Sequence, residues 1–347
     1  MTTTDDLAAN GSPAPSTHDD AELLEKAASA NKRLRAAIGA RVVGQEAVID
    51  RMLVALLARG HALLVGVPGL AKTLLVASLA DALGLEFGRV QFTPDLLPAD
   101  ITGTDVLQEE DDGSRRRVRF LPGPIFHNLV LADEINRTPP KTQAALLQAM
   151  QERRVTVGTT THKLPDPFQV FATRNPIEQE GTYPLPEAQL DRVLLEIHIE
   201  YPSEDEEREI ARKTTSASVG EVPRVLGVDD VRALQALVPR IPVTEEAVRL
   251  AVSLGRATRP NAGVNGARVR EVEEYVRFGA GPRGSQALVL AAKALAALNG
   301  EAAADVDDIR ALVIPVLRHR LVLSYRAEAE GVKDVDVLEK IQRALAG

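Results

Sequence analysis

The segment Gly66 to Thr73 has the residue types and spacing of a loop that binds a nucleoside triphosphate. It follows the apolar run 62–65 and precedes a helical pattern over 74–83. In a strand–loop–helix arrangement, backbone N–H groups and the helix N-terminus point at the bound anion. Lys72 would reach the β- and γ-phosphates, and the Thr73 hydroxyl would ligate Mg²⁺. The predicted nucleotide-binding residues here are Gly66, Val67, Pro68, Gly69, Leu70, Ala71, Lys72, Thr73 and Leu74.

Ala71 departs from the usual pattern, in which a second glycine occupies this position. Alanine is the smallest substitute, so the backbone can still pass close to a phosphate, although alanine tolerates a positive φ poorly. The alternative interpretation of the segment is an ordinary strand-to-helix turn that carries Lys-Thr by chance.

Two acidic residues, Asp133 and Glu134, follow the apolar run 129–132. A continuous apolar run is typical of a buried parallel strand, and the carboxyl ends of such strands face the ligand crevice. Asp133 would hold Mg²⁺ through its hydration shell, and Glu134 would orient or deprotonate the attacking water. An apolar run that ends in Asp-Glu is common in proteins and says little by itself. Downstream of a phosphate loop, the same pattern predicts a nucleotide hydrolase.

Two further polar residues are candidates for contact with phosphate. Asn175 follows the predicted buried strand 168–173, where its amide could contact both the γ-phosphate and the attacking water. Because Asn-Pro also favours turns, a purely local role is the alternative. Arg283 stands at the start of a predicted helix, where a cation opposes the helix dipole. This position suggests an anionic partner for Arg283, and an ordinary surface arginine is the alternative.

The order of apolar patterns predicts an α/β domain followed by a helical one. Residues 1–20 are rich in Thr, Ser, Pro, Asp and Ala, and we expect a disordered leader. Residues 21–201 form the nucleotide-binding domain and residues 202–347 an α-helical domain without strands. The predicted strands are 62–65, 85–92, 129–132, 168–173 and 193–199, and the predicted helices of the second domain are 228–238, 244–258, 266–278, 285–299 and 306–317.

Two hairpins are predicted near 95–122 and 154–166. The first has acidic residues on one arm and arginines on the other. A solvated ribbon that pairs its own charges and a projecting element that contacts a partner are both compatible with this pattern.

Composition excludes several other classes of site. The 347-residue chain has no cysteine and therefore neither disulfides, thiolate metal sites nor a cysteine nucleophile. Its net charge of −8 argues against broad binding of nucleic acid or anionic membranes. The sequence has no apolar run of membrane-spanning length and no secretory signal, so we expect a cytoplasmic protein without membrane insertion.

Together these stretches resemble the MoxR family of AAA+ ATPases. The similarity extends from about Leu34 to Leu323, and several of its motifs are longer than generic nucleotide-binding motifs. The segments that carry it are 43–46, 66–73, 123–126, 132–137, 139–143, 187–192, 281–283 and 316–320.

The resemblance implies an AAA+ P-loop module with a five-stranded parallel sheet flanked by helices, followed by an α-helical lid domain. ATP and Mg²⁺ would be its cofactors, and Gln45 would border the base. The residues to which it assigns roles are Lys72, Thr73, Asp133 and Glu134 as Walker residues, Asn175 as the first sensor, Arg192 as the arginine finger acting in trans, and Arg283 as the second sensor. Alanine at position 71 is usual in the family. Two departures are Arg174, where Gln is expected, and Val193, where Phe is common.

The resemblance also implies partners. Family members are thought to form hexamers, to act as chaperones, and to work with von Willebrand factor A domain proteins in metal-cofactor insertion or complex maturation. The two hairpins would face the ring pore or a client protein. Our main hypothesis is therefore an ATP hydrolase in a ring that remodels an unidentified client.

Two other functions remain open at this point. A nucleotide-dependent scaffold with little turnover is the first, although the intact Glu134 favours hydrolysis. A DNA-remodelling AAA+ protein is the second, and the acidic balance and the lack of a helix-turn-helix pattern count against it.

Overall fold

A computed structural model describes residues 17–109, 116–177, 181–215, 221–262 and 269–345. The helices are α1 Thr17–Gly39, α2 Glu46–Leu57, α3 Lys72–Leu83, α4 Pro98–Thr102, α5 Pro140–Glu152, α6 Glu187–Leu190, α7 Glu204–Thr214, α8 Val228–Leu237, α9 Glu245–Ala257, α10 Arg270–Tyr275, α11 Pro282–Asn299, α12 Val306–Leu317, α13 Tyr325–Glu330 and α14 Asp334–Ala344. The strands are β1 Ala62–Val65, β2 Phe87–Gln91, β3 Gly103–Glu109, β4 Arg116–Pro122, β5 Leu129–Asp133, β6 Arg154–Val157, β7 Thr160–Lys163, β8 Gln169–Arg174, β9 Leu195–His198, β10 Val276–Phe278 and β11 Val322–Leu323. Among these helices, none combines the length and the apolar character needed to cross a membrane.

The central sheet has five parallel strands in the order β2-β5-β8-β1-β9. This confirms the predicted five-stranded parallel sheet and all five of its strands. Val65 of β1 is paired with Arg174 of the central strand β8 on one side and with His198 of the edge strand β9 on the other. The carboxyl ends of all five strands therefore meet at one edge, which is where ligands bind in open parallel sheets.

Each face of the sheet covers its own hydrophobic core. Leu64, Phe171 and Ile197 project from one face into a core that continues through α2 and α3 into the helices of the C-terminal half. Leu63 and Val170 project from the other face, where they pack against α5. The continuous first core joins the sheet to the C-terminal helices.

The N-terminal helix α1 lies across both halves of the chain. The Asn31 side chain donates to the Leu298 carbonyl of α11 at 3.0 Å, and Asp20 pairs with Arg240 at 2.6 Å. The helix begins at Thr17, inside the stretch predicted as a disordered leader, while residues 1–16 lie outside the described ranges. Acidic residues in the first turn stabilise this end of the helix, because they complement its dipole.

The C-terminal half differs from the prediction in its strands. The predicted helix 266–278 is replaced by the short α10 and by β10, and residues 263–268 lie outside the described part of the chain. Strand β10 pairs with β11, so the expectation of no strands after residue 201 was wrong. Val276 and Phe278 are β-branched and aromatic, which suits an extended backbone better than a helix.

Both predicted hairpins form, as the antiparallel pairs β3–β4 and β6–β7. The Phe120 ring of the first stacks on the His162 ring of the second, with centroids 3.8 Å apart. Leu107 and Val118 lie opposite each other on β3 and β4, with exposed fractions of 71% and 65%. Residues 110–115, which contain most of the predicted charged turn, are outside the described ranges.

The burial of β1 gives a direct test of the fold. Leu64 is fully buried, so Leu64→Ala should lower the free energy of unfolding by about 2–5 kcal/mol. The exposed Leu107 offers the same chemical change as a control, and Leu107→Ala should cost about 0.5 kcal/mol or less. Urea titration of the two variants measures both, and equal losses would contradict the assignment of β1 to the core.

Candidate nucleotide-binding and catalytic site

The loop between β1 and α3 has a backbone shape that its sequence alone left in doubt. Gly69 and Ala71 both adopt the left-handed conformation, with φ values of 87° and 54°. Ala71 is also the N-cap residue of the twelve-residue helix α3. The positive end of the helix dipole therefore lies directly at the loop, which favours bound phosphate.

The Lys72 ammonium lies over the same loop. It donates to the carbonyl oxygens of Gly66 and Val67, the second at 3.1 Å. Thr73 follows in the first turn of α3, and its side chain is half-buried. The cation and the hydroxyl thus lie beside the loop backbone, as phosphate binding requires.

Asp133 ends β5 with two partners that fix its carboxylate. One oxygen accepts from the Thr173 hydroxyl at 2.7 Å, and the other pairs with Arg89 at 2.6 Å. The Thr173 oxygen in turn accepts the backbone N–H of Glu134 at 2.8 Å. Thr173 therefore orients both acidic residues, a role that the sequence analysis missed.

The Glu134 carboxylate is held by two further side chains. Gln91 donates to its Oε2 at 3.0 Å, and Arg137 pairs with the same oxygen at 2.9 Å. Glu134 itself has a φ of 57°, which is uncommon for a residue with a side chain. Strained backbone conformations of this kind concentrate at active sites, so the conformation supports a catalytic role.

Asn175 lies directly after β8, the strand between β5 and β1, and only 5% of it is exposed. Its amide oxygen accepts the N–H of Ile177 at 3.1 Å, which is the local turn contact of the alternative interpretation. The fold thus brings the phosphate loop, Asn175 and the two acidic residues to three neighbouring strand ends.

A cavity of about 110 Å³ lies beside the phosphate loop. Val43 and Gln45 line it on one side, Leu70 and Leu74 on another, and Pro202 on a third. Its apolar walls and few polar groups suit the base of a nucleotide. Gln45, predicted to border the base, is part of this wall.

Arg192 and Arg283 lie at the opposite edge of the sheet. Leu194 donates to the His61 carbonyl at 2.8 Å, which places the start of β9 beside the start of β1. The four residues of β1, at about 3.3 Å each, separate that edge from the phosphate loop by roughly 13 Å. Arg283 belongs to the same edge, since its guanidinium is 3.7 Å from the Asp191 carboxylate.

The two departures from the family pattern lie at different edges of the sheet: Arg174 ends β8 beside β1 at the phosphate-loop edge, and Val193 precedes β9 at the edge of Arg192. Arg174 is 3.6 Å from Glu196, a carboxylate on β9 that is 4% exposed, so the arginine provides a cation for a buried anion. Val193 is also buried, and its carbonyl accepts from His319 at 3.0 Å. Both substitutions are therefore accommodated by partners from other elements.

The sequence analysis missed Arg89, Gln91 and Thr173. Gln91 ends β2 and Thr173 is the second-last residue of β8, while Arg89 lies two residues before Gln91; both strands neighbour β5, which carries Asp133. Polar side chains at these positions are the signal that could have found them, because the carboxyl ends of neighbouring parallel strands face one crevice.

The donor groups fit a Mg–nucleotide complex. The Thr73 hydroxyl and the Asp133 carboxylate are hard oxygen ligands of the kind that Mg²⁺ prefers. Lys72 and the start of α3 provide the positive charge for phosphate. The class that the fold and the site define is a P-loop nucleotide-binding module with a helical domain behind it.

Comparison with known proteins gives the same class and a family. Residues 61–195 match the ATPase family associated with various cellular activities, and residues 268–341 match the AAA lid domain. The chain is 43% identical to the protein named Chaperone MoxR1 of Mycobacterium tuberculosis, over 88% of this chain and 79% of the relative. It is 36% identical to Protein MoxR of Paracoccus denitrificans, over 83% and 87%. The chain belongs to the MoxR family of AAA+ ATPases.

A solved structure is similar over nearly the whole chain. This crystal structure of a protein from Cytophaga hutchinsonii has a TM-score of 0.83 and 39% identity, and the match covers 94% of this chain and 96% of that one. The similarity therefore includes both the sheet and the C-terminal helices.

The left-handed conformation of Ala71 leads to a prediction about nucleotide affinity. Ala71→Gly should keep the dissociation constant for ATP within about threefold, because glycine adopts positive φ without a penalty. Ala71→Val should weaken binding at least about tenfold, because a β-branched side chain is strongly disfavoured there. Fluorescence titration with a labelled ATP measures both, and unchanged binding by the valine variant would contradict the loop geometry.

Proposed function

We propose that this protein hydrolyses ATP at sites shared between subunits of a ring. The separation of Arg192 and Arg283 from the phosphate loop of their own chain carries the proposal. One chain alone binds the nucleotide and orients the water. Its own Arg192 and Arg283 do not place a cation near the γ-phosphate. A neighbouring copy would supply them.

The chemistry within one chain is positioning and charge stabilisation. Lys72 and the loop backbone bind the β- and γ-phosphates, while Glu134 and Asn175 orient the water for in-line attack. Mg²⁺, held by Thr73 and through water by Asp133, would neutralise charge on the phosphate oxygens. When the Glu134 carboxylate leaves its contacts with Gln91 and Arg137, it becomes free to orient the water.

The neighbouring chain completes the site through Arg192 and Arg283. An arginine supplied in trans stabilises the charge that develops in the transition state and accelerates hydrolysis by about 10³–10⁵-fold in nucleotide hydrolases. The Arg192 side chain is exposed and makes neither a hydrogen bond nor an ion pair with the described residues. Its side chain is therefore available to a neighbouring subunit.

We further propose that the hydrolysis drives the remodelling of a client protein in the cytoplasm, by a hexameric ring. The relative from Mycobacterium tuberculosis is named a chaperone, which supports this part. The paired hairpins, with Leu107 and Val118 exposed, are the surface that we assign to the client. A von Willebrand factor A domain protein as partner and metal-cofactor insertion as purpose follow from the family resemblance. Nucleic acid is not expected as a partner at a net charge of −8.

The rival function is a nucleotide-dependent scaffold with little turnover. The observation in its favour is the double restraint of Glu134 by Gln91 and Arg137. The two functions differ in a measurable way, because a scaffold binds ATP at every protein concentration without hydrolysing it.

The deciding experiment measures ATP hydrolysis against protein concentration for the wild type, Glu134→Gln and Arg192→Ala. Specific activity should rise with concentration, since sites form only between subunits. Each variant alone should lose about 10²-fold or more, while an equimolar mixture should recover part of the activity. In the mixture, the intact arginine of one variant serves the intact water-orienting site of the other.

Two results would decide against the proposal. If Arg192→Ala hydrolyses ATP normally at every concentration, the finger assignment is wrong. If the wild type binds ATP without turnover at any concentration, the scaffold function replaces the hydrolase.

A further inference from the structure

The triplet Arg318-His319-Arg320, one of the motifs that carry the family resemblance, has no role in the function proposed so far. It forms a 3₁₀ turn after α12. All three side chains contact the segment 191–196, which contains Arg192 and the start of β9. Elements far apart in sequence therefore meet next to the predicted arginine finger.

Arg320 makes the most extensive of these contacts, and its side chain is only 3% exposed. Its Nε donates to the Asp191 carboxylate at 3.1 Å, and its Nη2 donates to the carbonyls of Asp191 at 3.1 Å and Val193 at 2.7 Å. Its Nη1 donates to the carbonyls of Leu194, at 3.4 Å, and Val316. All five N–H donors of the guanidinium thus have acceptors, and four of the five acceptors lie on residues 191–194.

The charge of Arg320 persists despite burial. Burial lowers the pKa of its guanidinium to about 10, against the opposing effect of the Asp191 carboxylate, so the side chain remains cationic at neutral pH. Asp191 also faces Arg283 at 3.7 Å. One carboxylate therefore bridges the buried arginine and the half-exposed second-sensor candidate.

The other two residues of the triplet brace the same segment. Burial lowers the pKa of His319 to about 3, so the ring is neutral, and its Nε2 lies 3.0 Å from the Val193 carbonyl and 2.7 Å from the Arg320 guanidinium. Arg318 bridges Asp334 at 3.0 Å and Glu196 at 3.4 Å. Burial raises the pKa of Glu196, but the hydrogen bond with His198 and the nearby cations have the larger effect. Together they lower this pKa to about 2.

The contacts of the residues around Arg192 differ from those of Arg192 itself. Its neighbours 191, 193 and 194 are fixed by one guanidinium, whereas its own side chain is exposed and unpaired within the described residues. A catalytic group that acts in trans must be held to within about 0.5 Å of its productive position. The hydrogen bonds from Arg320 to the backbone on both sides of Arg192 provide such precision.

We propose that Arg320 is a positioning residue for the trans-acting edge, acting through Asp191 and the carbonyls of residues 191–194 to hold Arg192 and Arg283 towards the neighbour's nucleotide. This inference rests on the proposed function, since it assumes that the edge serves a site in another subunit. Lysine cannot replace Arg320, because a single ammonium cannot reach acceptors spread over a planar fork.

The first test is the Arg320→Lys variant in the full chain. Its kcat should fall about 10–100-fold, since a misplacement of about 1 Å can cost 10²-fold in rate. Its dissociation constant for labelled ATP should stay within twofold of the wild type, because the phosphate loop of the same chain is untouched. Arg240→Lys, a change to an arginine that pairs with Asp20 instead, is the matched control and should keep normal kcat.

Mixing experiments then identify which edge of the subunit is defective. Arg320→Lys mixed with Glu134→Gln should recover several-fold more activity than either alone, because each variant provides what the other lacks. Arg320→Lys mixed with Arg192→Ala should show no more than the mean of the two, because both lack a working finger. If Arg320→Lys does not fold by thermal unfolding and gel filtration, Asp191→Asn should give the same pattern of recovery.

The outcomes separate this inference from the function on which it rests. If Arg192→Ala and Glu134→Gln do not complement each other, shared sites are wrong and the inference fails with them. If that pair recovers but Arg320→Lys with Glu134→Gln does not, only the role of Arg320 is wrong. A tenfold loss of ATP affinity in Arg320→Lys, or an unchanged kcat, would likewise overturn it.

Discussion

The parallel pairing of β1 with β8 and β9 is the constraint on which the rest of the structure depends. In this register, Val65, Arg174 and His198 are neighbours at one edge, so the phosphate loop and Asn175 meet there. The same pairing places Arg192 at the other edge, because it precedes β9. One chain therefore holds the two parts of a hydrolytic site about a strand's length apart, roughly 13 Å. The proposal of shared sites follows from that distance.

Much of this arrangement could be predicted because it depends on local pattern. Segments rich in apolar residues predicted all five parallel strands, and the segments that follow three of them supplied Lys72, Asp133 and Asn175. Buried parallel strands need apolar residues on both faces, so they stand out in a sequence. The left-handed Ala71 could not be inferred from the residues alone, since alanine rarely adopts that conformation.

The parts that escaped prediction depend on contacts between distant segments. Helix α7, which was not predicted, buries none of its residues, and its local signals were the capping box at Ser203, an acidic first turn and a basic last turn. The pairing of β10 with β11 required two short segments that are remote in sequence. The partners of Arg320 on residues 191–194 lie 126–129 residues away. No sequence pattern specifies such pairs, because tertiary packing alone brings them together.

The central claim is that each site is completed by a neighbouring chain, and a structure of the Glu134→Gln variant with ATP and Mg²⁺ tests it most directly. The measured quantity is the distance from the γ-phosphate to the guanidinium groups of Arg192 and Arg283. The account predicts that the guanidinium groups of Arg192 and Arg283 of the adjacent subunit both lie within hydrogen-bonding distance of the γ-phosphate. Contact between the γ-phosphate and Arg283 of the same chain, with Arg192 remote from every nucleotide, would contradict it.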